Sequence, residues 1–330
     1  MTGDAGGGPT SGDITSWAPS EWFTNPATSS IWITAYMTAL VPSATGTRRP
    51  LVVDLPRARV VLFDGTLTYF DAGGAGLQPG EDGSLTASFE PQEKTTPRGV
   101  YAVVILPFDV DGTAGDEPAT RSKVATIAGL IGALVGRIAV FRKLYDNVRE
   151  MSGSRTTAFS AAMLNPGSLS LPRIDASRVD LLRTVGGAAF ISDSGGARLQ
   201  LSLRWFDASI QSDDNVDSFI RCWIALETLA MPDTTNIAPI NDALAVGYGL
   251  SIDAVRDRFR VGRLYGLRGD IVHGGSPTAL NAAVDEYLRA IFIDTLVSLE
   301  GLPNEQRSEQ IRTASAVALR EYLGYDFGAP

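Results

Sequence analysis

Cysteine and histidine are almost missing from this chain. Among 330 residues there is one of each, Cys222 and His273. A lone thiol excludes an intrachain disulfide and fits a reducing compartment, so a cytoplasmic setting is expected. One cysteine and one histidine cannot assemble a zinc-finger ligand set, and no tight acidic motif announces another metal; neither metal nor cofactor is expected. Positive charge is also scarce, with 28 Lys and Arg against 37 Asp and Glu and a net charge of -9. That balance excludes a generally basic nucleic-acid binder, so any RNA contact must come from a local patch. Long apolar runs are lacking as well. The one membrane candidate, Val124 to Gly136, is thirteen uncharged residues between Lys123 and Arg137, whereas a spanning helix needs about 20. It reads as a buried helix whose Gly132 and Gly136 have the small-xxx-small spacing of close helix packing, and no membrane partner is expected. Met1 to Asp13 is glycine-rich, without the basic and apolar regions of a signal peptide, and reads as a disordered lead.

What is present suits two domains. The length allows two cores, and 44% hydrophobic with 20% charged residues is globular. Between Ser30 and Pro107, β-branched and aromatic runs such as Ile31 to Tyr36, Leu51 to Leu55, Arg59 to Phe63, Thr66 to Phe70, Ser84 to Phe89 and Val100 to Leu106 alternate with Gly, Pro and Asp clusters. They predict short strands of an antiparallel sheet or sandwich. Glu117 to Met151 reads as one long helix, with Leu130, Leu134, Ile138, Phe141 and Tyr145 at helical steps. The Ser-, Gly- and Pro-rich stretch 152–172 reads as a linker. The expected layout is therefore α+β: a β-rich domain over 14–151 ending in that helix, and a helical domain over 173–330 with its core at about 197–323.

The helical half shows its own punctuation. A short helix is expected at Ala176 to Val185 and another at Ala197 to Ile210. A third runs to Ala230 from an N-cap at Asp214 or Asn215, with Phe219, Trp223, Leu226 and Ala230 on one face. Helices near Ile240 to Tyr248 and Ile252 to Leu267 meet at Gly249. Ser276-Pro277 opens a long helix to Leu299, and a last helix covers Glu305 to Leu323. Short connections between amphipathic helices imply a bundle.

His273 follows the most basic window of the chain. Arg256 to Arg268 holds five arginines against one aspartate, where a guanidinium fork can bind phosphate oxygens. An imidazole can move a proton at neutral pH. Together these groups suit metal-free RNA cleavage, which asks for a base, an acid and a cation near the phosphorus. Phe219-Ile-Arg-Cys-Trp-Ile-Ala-Leu-Glu-Thr-Leu229, followed by Leu264-Tyr-Gly-Leu-Arg-Gly-Asp-Ile-Val-His-Gly274, resembles the HEPN superfamily, in particular its Apea-like group, over roughly Leu203 to Leu299.

That resemblance implies a four- or five-helix bundle. It also implies a metal-independent endoribonuclease whose R-x4-6-H motifs face each other across a homodimer cleft, of the kind found among prokaryotic defence and toxin effectors. Arg268 would bind the scissile phosphate and His273 would be the acid/base group. Because one histidine cannot easily be base and acid in one step, the single imidazole calls for a twofold dimer. Gly269 departs from the polar residue many nuclease members carry after the motif arginine. The alternative is therefore a catalytically silent HEPN scaffold binding nucleotide, nucleic acid or a protein partner.

Bland readings stand beside these. Arg268 and His273 can be a structural pair at a helix end, and Asp270 either orients His273 or caps that end. Glu227 calls for a cationic partner among Arg268, Arg263 and Arg221, from which it would support the site. Arg256, Arg258, Arg260 and Arg263 are either an RNA track or solvated charges offsetting Asp253 and Asp257. Trp223, Tyr265 and Cys222 read as core. The β-rich domain would bind a further ligand or protein partner, and no motif there says which.

Overall fold

Residues at every second position of Ser30–Met37 and Gly99–Phe108 are apolar; the two segments pair antiparallel in the middle of a sheet, and side chains on both faces of each are buried. The computed structural model describes residues 14–23, 30–37, 41–42, 50–71, 76–79, 85–88, 92–96, 98–108, 116–135, 142–150, 156–161, 173–174, 176–190, 193–212, 214–274 and 280–324. The lead over 1–13 and the Ser276-Pro277 cap fall outside them. In chain order the first strands are β1 (Ser30–Met37), β2 (Val41–Pro42), β3 (Leu51–Leu55), β4 (Ala58–Gly65), β5 (Thr68–Asp71), β6 (Gly76–Pro79), β7 (Leu85–Ser88), β8 (Gln92–Thr95) and β9 (Gly99–Phe108). Helix α1 (Asp116–Val135) follows, and then β10 (Arg142–Glu150), β11 (Thr156–Ala161) and β12 (Arg173–Ile174).

The chain divides into two compact units, each discontinuous. One comprises Met1–Val124 with Ile138–Arg183, the other Ala125–Arg137 with Thr184–Pro330. The first is built on an antiparallel six-stranded sheet in the order β11-β10-β1-β9-β4-β3. One face carries Ile31, Ile33, Val61, Phe63, Tyr101, Val103 and Ile105 as a continuous apolar cluster. The opposite face holds a polar chain. Trp32 Nε1 donates to Thr34 Oγ1 at 2.8 Å, and Thr34 Oγ1 donates to Asp146 Oδ1 at 2.7 Å. Arg121 of α1 closes it, 2.9 Å from Asp146 Oδ2 and with its guanidinium 5.3 Å from the Trp32 ring centroid.

Two expectations are corrected here. The single helix over 117–151 ends at Val135, and Arg142–Glu150 is a strand between β1 and β11. The helical stride that runs through Tyr145 is overridden by long-range pairing: Ser30↔Glu150 through Met37↔Arg142 supply the backbone partners, and Asp146 and Val148 become the inward positions. The segment 152–172 is not wholly linker either, because Thr156–Ala161 pairs with β10 as β11. The division between units therefore does not fall there, and the helical unit is not a continuous 173–330 but takes Ala125–Arg137 as well.

The second unit is helical: α2 (Ala176–Ala189, from Thr184 onward), α3 (Ser194–Ile210), α4 (Asn215–Ala230), α5 (Ala238–Tyr248), α6 (Ile252–Phe259), α7 (Val261–Gly274), α8 (Ala282–Leu299), α9 (Arg307–Ala314) and α10 (Ala316–Leu323), with the last turns of α1. Helix α8 is buried almost without interruption from Val284 to Val297, so it is the axis against which α4, α5, α9 and α10 pack. Asp214 caps α4 through the amides of Val216 and Asp217, and Gly249 ends α5 in the left-handed conformation. The stretch expected as one helix over 252–267 breaks at Arg260, whose φ of 51° places a non-glycine residue in the left-handed region. Helix α8 opens at Ala282 behind Asn281, and the last helix breaks at Ser315.

Val124 to Val135, the described part of the short apolar run, is interior helix; none of the described helices is long and apolar enough to cross a membrane. Its close packing centres on Gly129, where a Cβ would lie 2.0 Å from the Leu203 carbonyl oxygen of α3. At Gly132 the nearest atom is the flexible Ile210 Cδ1. Arg307 meets the carboxyl end of α1, donating to the Ala133 and Leu134 carbonyls at 3.3 and 3.4 Å.

Candidate functional site

Helix α7 exists as a separate helix because the chain turns at Arg260, and that turn gives Arg268, Asp270 and His273 one rigid support. Its inner face is anchored by Val261 and Leu264, which are buried. Helix α4 lies alongside the site, its Phe219, Trp223 and Leu226 fully buried as their helical spacing predicts. Trp223 and Tyr265 of α7 are neighbours, ring centroids 5.8 Å apart at 37°. The indole is core, as its spacing suggests, and it is unavailable for stacking on a base.

Glu227 lies one turn beyond Trp223, and the indole Nε1 donates to Glu227 Oε1 at 2.7 Å. The other carboxylate oxygen, Oε2, faces Arg268 Nη2 at 3.8 Å. This is an ion pair without a direct hydrogen bond, and both side chains keep 27% exposure. Of the three arginines weighed for Glu227, Arg268 takes the position. Arg221 instead pairs with Asp217 at 2.8 Å, and Arg263 lies over Gly324.

Asp270 and His273 are exposed, and among the described residues neither side chain makes a hydrogen bond or an ion pair. Five helical residues separate Arg268 from His273, which amounts to about 140° around the axis and roughly 7.5 Å along it. Within one chain the two side chains therefore point to different sectors of α7 rather than gripping one phosphate side by side.

The four further arginines divide. Arg258 is taken by Glu309 of α9 at 2.9 Å, where Arg312 also binds the carboxylate at 2.6 Å. These two guanidinium groups pull the Glu309 carboxyl down to about 2, Arg312 more strongly than Arg258. Arg256, Arg260 and Arg263 instead line one cavity of about 400 Å³ at the junction of α5, α6 and the amino end of α7. Asp253 lies 3.5 Å from Arg256, and Asp257 lies 3.9 Å from Arg260.

Asn241 of α5 also lines this cavity. It is 3% exposed, and its Oδ1 accepts no hydrogen bond. Sequence reasoning passed over Asn241: a polar residue beside Ile240 in a short helix carries no signal until α7 is placed across from it. The cavity at Val261 and the exposed His273 lie at opposite ends of α7, about 18 Å apart along its axis.

Elsewhere in the unit the buried polar groups are structural. Ser218, Asp285 and Arg289 bond to one another between α4 and α8, and burial raises the Asp285 carboxyl despite Arg289 beside it. Burial also pushes the Cys222 thiol up, which leaves it protonated and unreactive. No group of three or more His, Cys, Asp or Glu side chains among the described residues is arranged to hold a metal ion. No family model, no curated protein and no solved structure matches the chain.

Proposed function

We propose that this chain is a metal-independent endoribonuclease of HEPN type that works as a homodimer. The observation that carries the reading is the line Trp223–Glu227–Arg268, with His273 further along the same helix. An indole fixes a carboxylate, the carboxylate holds a partly exposed guanidinium, and the same helix presents the chain's one imidazole to solvent. Such a held cation suits a phosphate whose charge grows during reaction.

Because Arg268 and His273 occupy different sectors of α7, the site needs α7 from a second copy to bring two imidazoles and two guanidinium groups to one phosphate. A neutral His273 from one copy takes the 2′-OH proton as O2′ bonds to phosphorus. A protonated His273 from the other delivers a proton to O5′ as the P–O5′ bond breaks. The products are a 2′,3′-cyclic phosphate and a 5′-hydroxyl, with no net change in protons. Arg268 neutralises the equatorial oxygens of the phosphorane. In this reading the β-rich unit is the sensing or partner-binding module.

The test is single-stranded RNA in EDTA. Cleavage with cyclic-phosphate ends, lost in both Arg268→Ala and His273→Ala, supports the proposal. Cleavage indifferent to both substitutions ends it.

A further inference from the structure

A second cavity of the helical unit, of about 440 Å³, has no α7 residue in its wall. Helices α2, α4 and α8 bring their carboxyl ends to it, and α3 brings its amino end. The carbonyls of a helix's last turn have no partner inside the helix and carry its negative end. Pro232, in the same wall and just beyond α4, has no N–H to offer them. Three of the four helix ends therefore favour a positive charge here.

Glu300, which caps α8 and lines the cavity, is the group that calls for a cation. It is half-buried, and among the described residues its carboxylate makes no hydrogen bond and no ion pair. Burial raises its carboxyl above the ordinary range, with no neighbouring cation to draw it back. Its oxygens remain open to solvent and are not sealed in the core. Arg198 of α3, exposed in the same wall, likewise has no carboxylate partner among the described residues. The Asp193 carboxylate is engaged at 2.6 Å by the Gly196 amide that it caps. The wall also holds Leu199, Leu229 and Leu299, and Leu299 keeps 50% exposure.

We propose that this cavity binds a free α-amino acid with an apolar side chain. Its ammonium group pairs with Glu300, where the carboxyl ends of α4 and α8 reinforce the carboxylate. Its carboxylate takes the guanidinium fork of Arg198. Its side chain packs on Leu199, Leu229 and Leu299 and removes their apolar surface from water. A volume of about 440 Å³ is within the range of small-ligand sites, roughly 300–1,000 Å³. An inorganic cation would use neither Arg198 nor the three leucines. The proposal is independent of the cleavage reading, since it uses neither Arg268 nor His273.

The experiment is calorimetric titration of the full-length protein with L-leucine and with analogues that each lack one feature. N-acetyl-L-leucine has no ammonium group, L-leucinamide no carboxylate and L-serine no apolar side chain. Saturable one-site binding of leucine is expected, with each analogue at least about tenfold weaker. Glu300→Gln and Arg198→Ala each weaken leucine about tenfold, while Arg204→Ala, exposed on the same helix as Arg198, leaves it unchanged. Glu300→Gln removes a half-buried charge that has no partner, so the melting temperature of the free protein holds or rises. Its lost affinity is then separate from any loss of fold.

No binding of leucine at about 20 mM to folded protein overturns the proposal. Binding that any of the three analogues equals overturns it too, as does leucine binding undiminished in the Glu300→Gln, Arg198→Ala double variant.

Discussion

Glu227 Oε2 faces Arg268 Nη2 across 3.8 Å, from α4 to α7, while the other oxygen of the same carboxylate is held by the Trp223 indole at 2.7 Å. The carboxylate is the better fixed of the two partners, and the guanidinium keeps hydrogen-bonding capacity to spare. Partly exposed ion pairs of this kind contribute little to stability, about 0–1 kcal/mol. The arrangement is therefore better suited to aiming Arg268 than to holding the bundle together.

Glu227→Gln tests that distinction. The amide oxygen still accepts from Trp223, but the charge opposite Arg268 is gone. In the proposed enzyme kcat/KM for RNA falls on the order of tenfold through lost positioning, while the melting temperature barely moves. A drop in melting temperature with unchanged kcat/KM of the folded protein would make Glu227 purely structural.

Gly129→Ala reports on how α1 enters the helical unit. The new Cβ meets the Leu203 backbone oxygen at 2.0 Å, and backbone cannot swing away. The expected loss is about 3 kcal/mol, at the upper end of overpacking effects. Gly132→Ala meets only the end of the Ile210 side chain and is expected to cost about 1 kcal/mol or less. Urea denaturation of the two variants checks the order, and equal losses would contradict the close approach.

Asp294 holds the start of α9 from α8. Its oxygens accept from the Arg307 and Ser308 amides at 3.2 and 2.7 Å and from the Tyr248 hydroxyl at 2.5 Å, and Gln306 offers no side-chain cap of its own. Burial and this carboxylate also keep the Tyr248 phenol protonated. Asp294→Asn replaces one acceptor oxygen by a donor and leaves a buried partner open, at a cost of about 2–3 kcal/mol. Chemical denaturation measures it, and amide exchange at Ser308 should quicken more than the average.

Glu309 sets an acid limb. Its carboxyl, drawn down from 4.5 to about 2 by Arg312 and Arg258, binds its proton less readily in the folded state than in the unfolded chain. The stabilisation is thus complete above pH 4.5 and is lost as pH falls from there through 2. Glu309→Gln, which has no such proton, should be less stable than the parent at pH 6 and approach it near pH 2.5. A constant difference across that range, read from urea midpoints, would contradict the assignment.

Much of the helical unit was legible because its signals are local. Asp214 sits where a capping carboxylate should, Gly249 takes the left-handed turn, and Phe219, Trp223 and Leu226 keep a helical stride into the core. The strand at Arg142–Glu150 was not legible, since one of its two partners, β1, lies over a hundred residues earlier and the stride from Leu130 continues falsely into it. Arg260 hid the break between α6 and α7 because a left-handed arginine has no sequence mark. The glycine spacing in the apolar run pointed to Gly132 and Gly136, of which Gly136 lies outside the described residues, while the backbone of α3 comes closest at Gly129, which only the placement of α3 marks. At the candidate site the types of residue were readable and their partners were not: Glu227 had three arginines open to it, and only the packing of α4 on α7 chooses Arg268.

The two-copy site is tested most directly by mixing. Parent and His273→Ala chains are combined at a constant total concentration, allowed to exchange subunits, and assayed for RNA cleavage in EDTA. If each reaction needs one imidazole from each copy, only dimers of two parent chains work, and an equal mixture retains about one quarter of the activity. An activity of one half, falling in proportion to the parent fraction, would mean that each chain acts alone and would contradict the account.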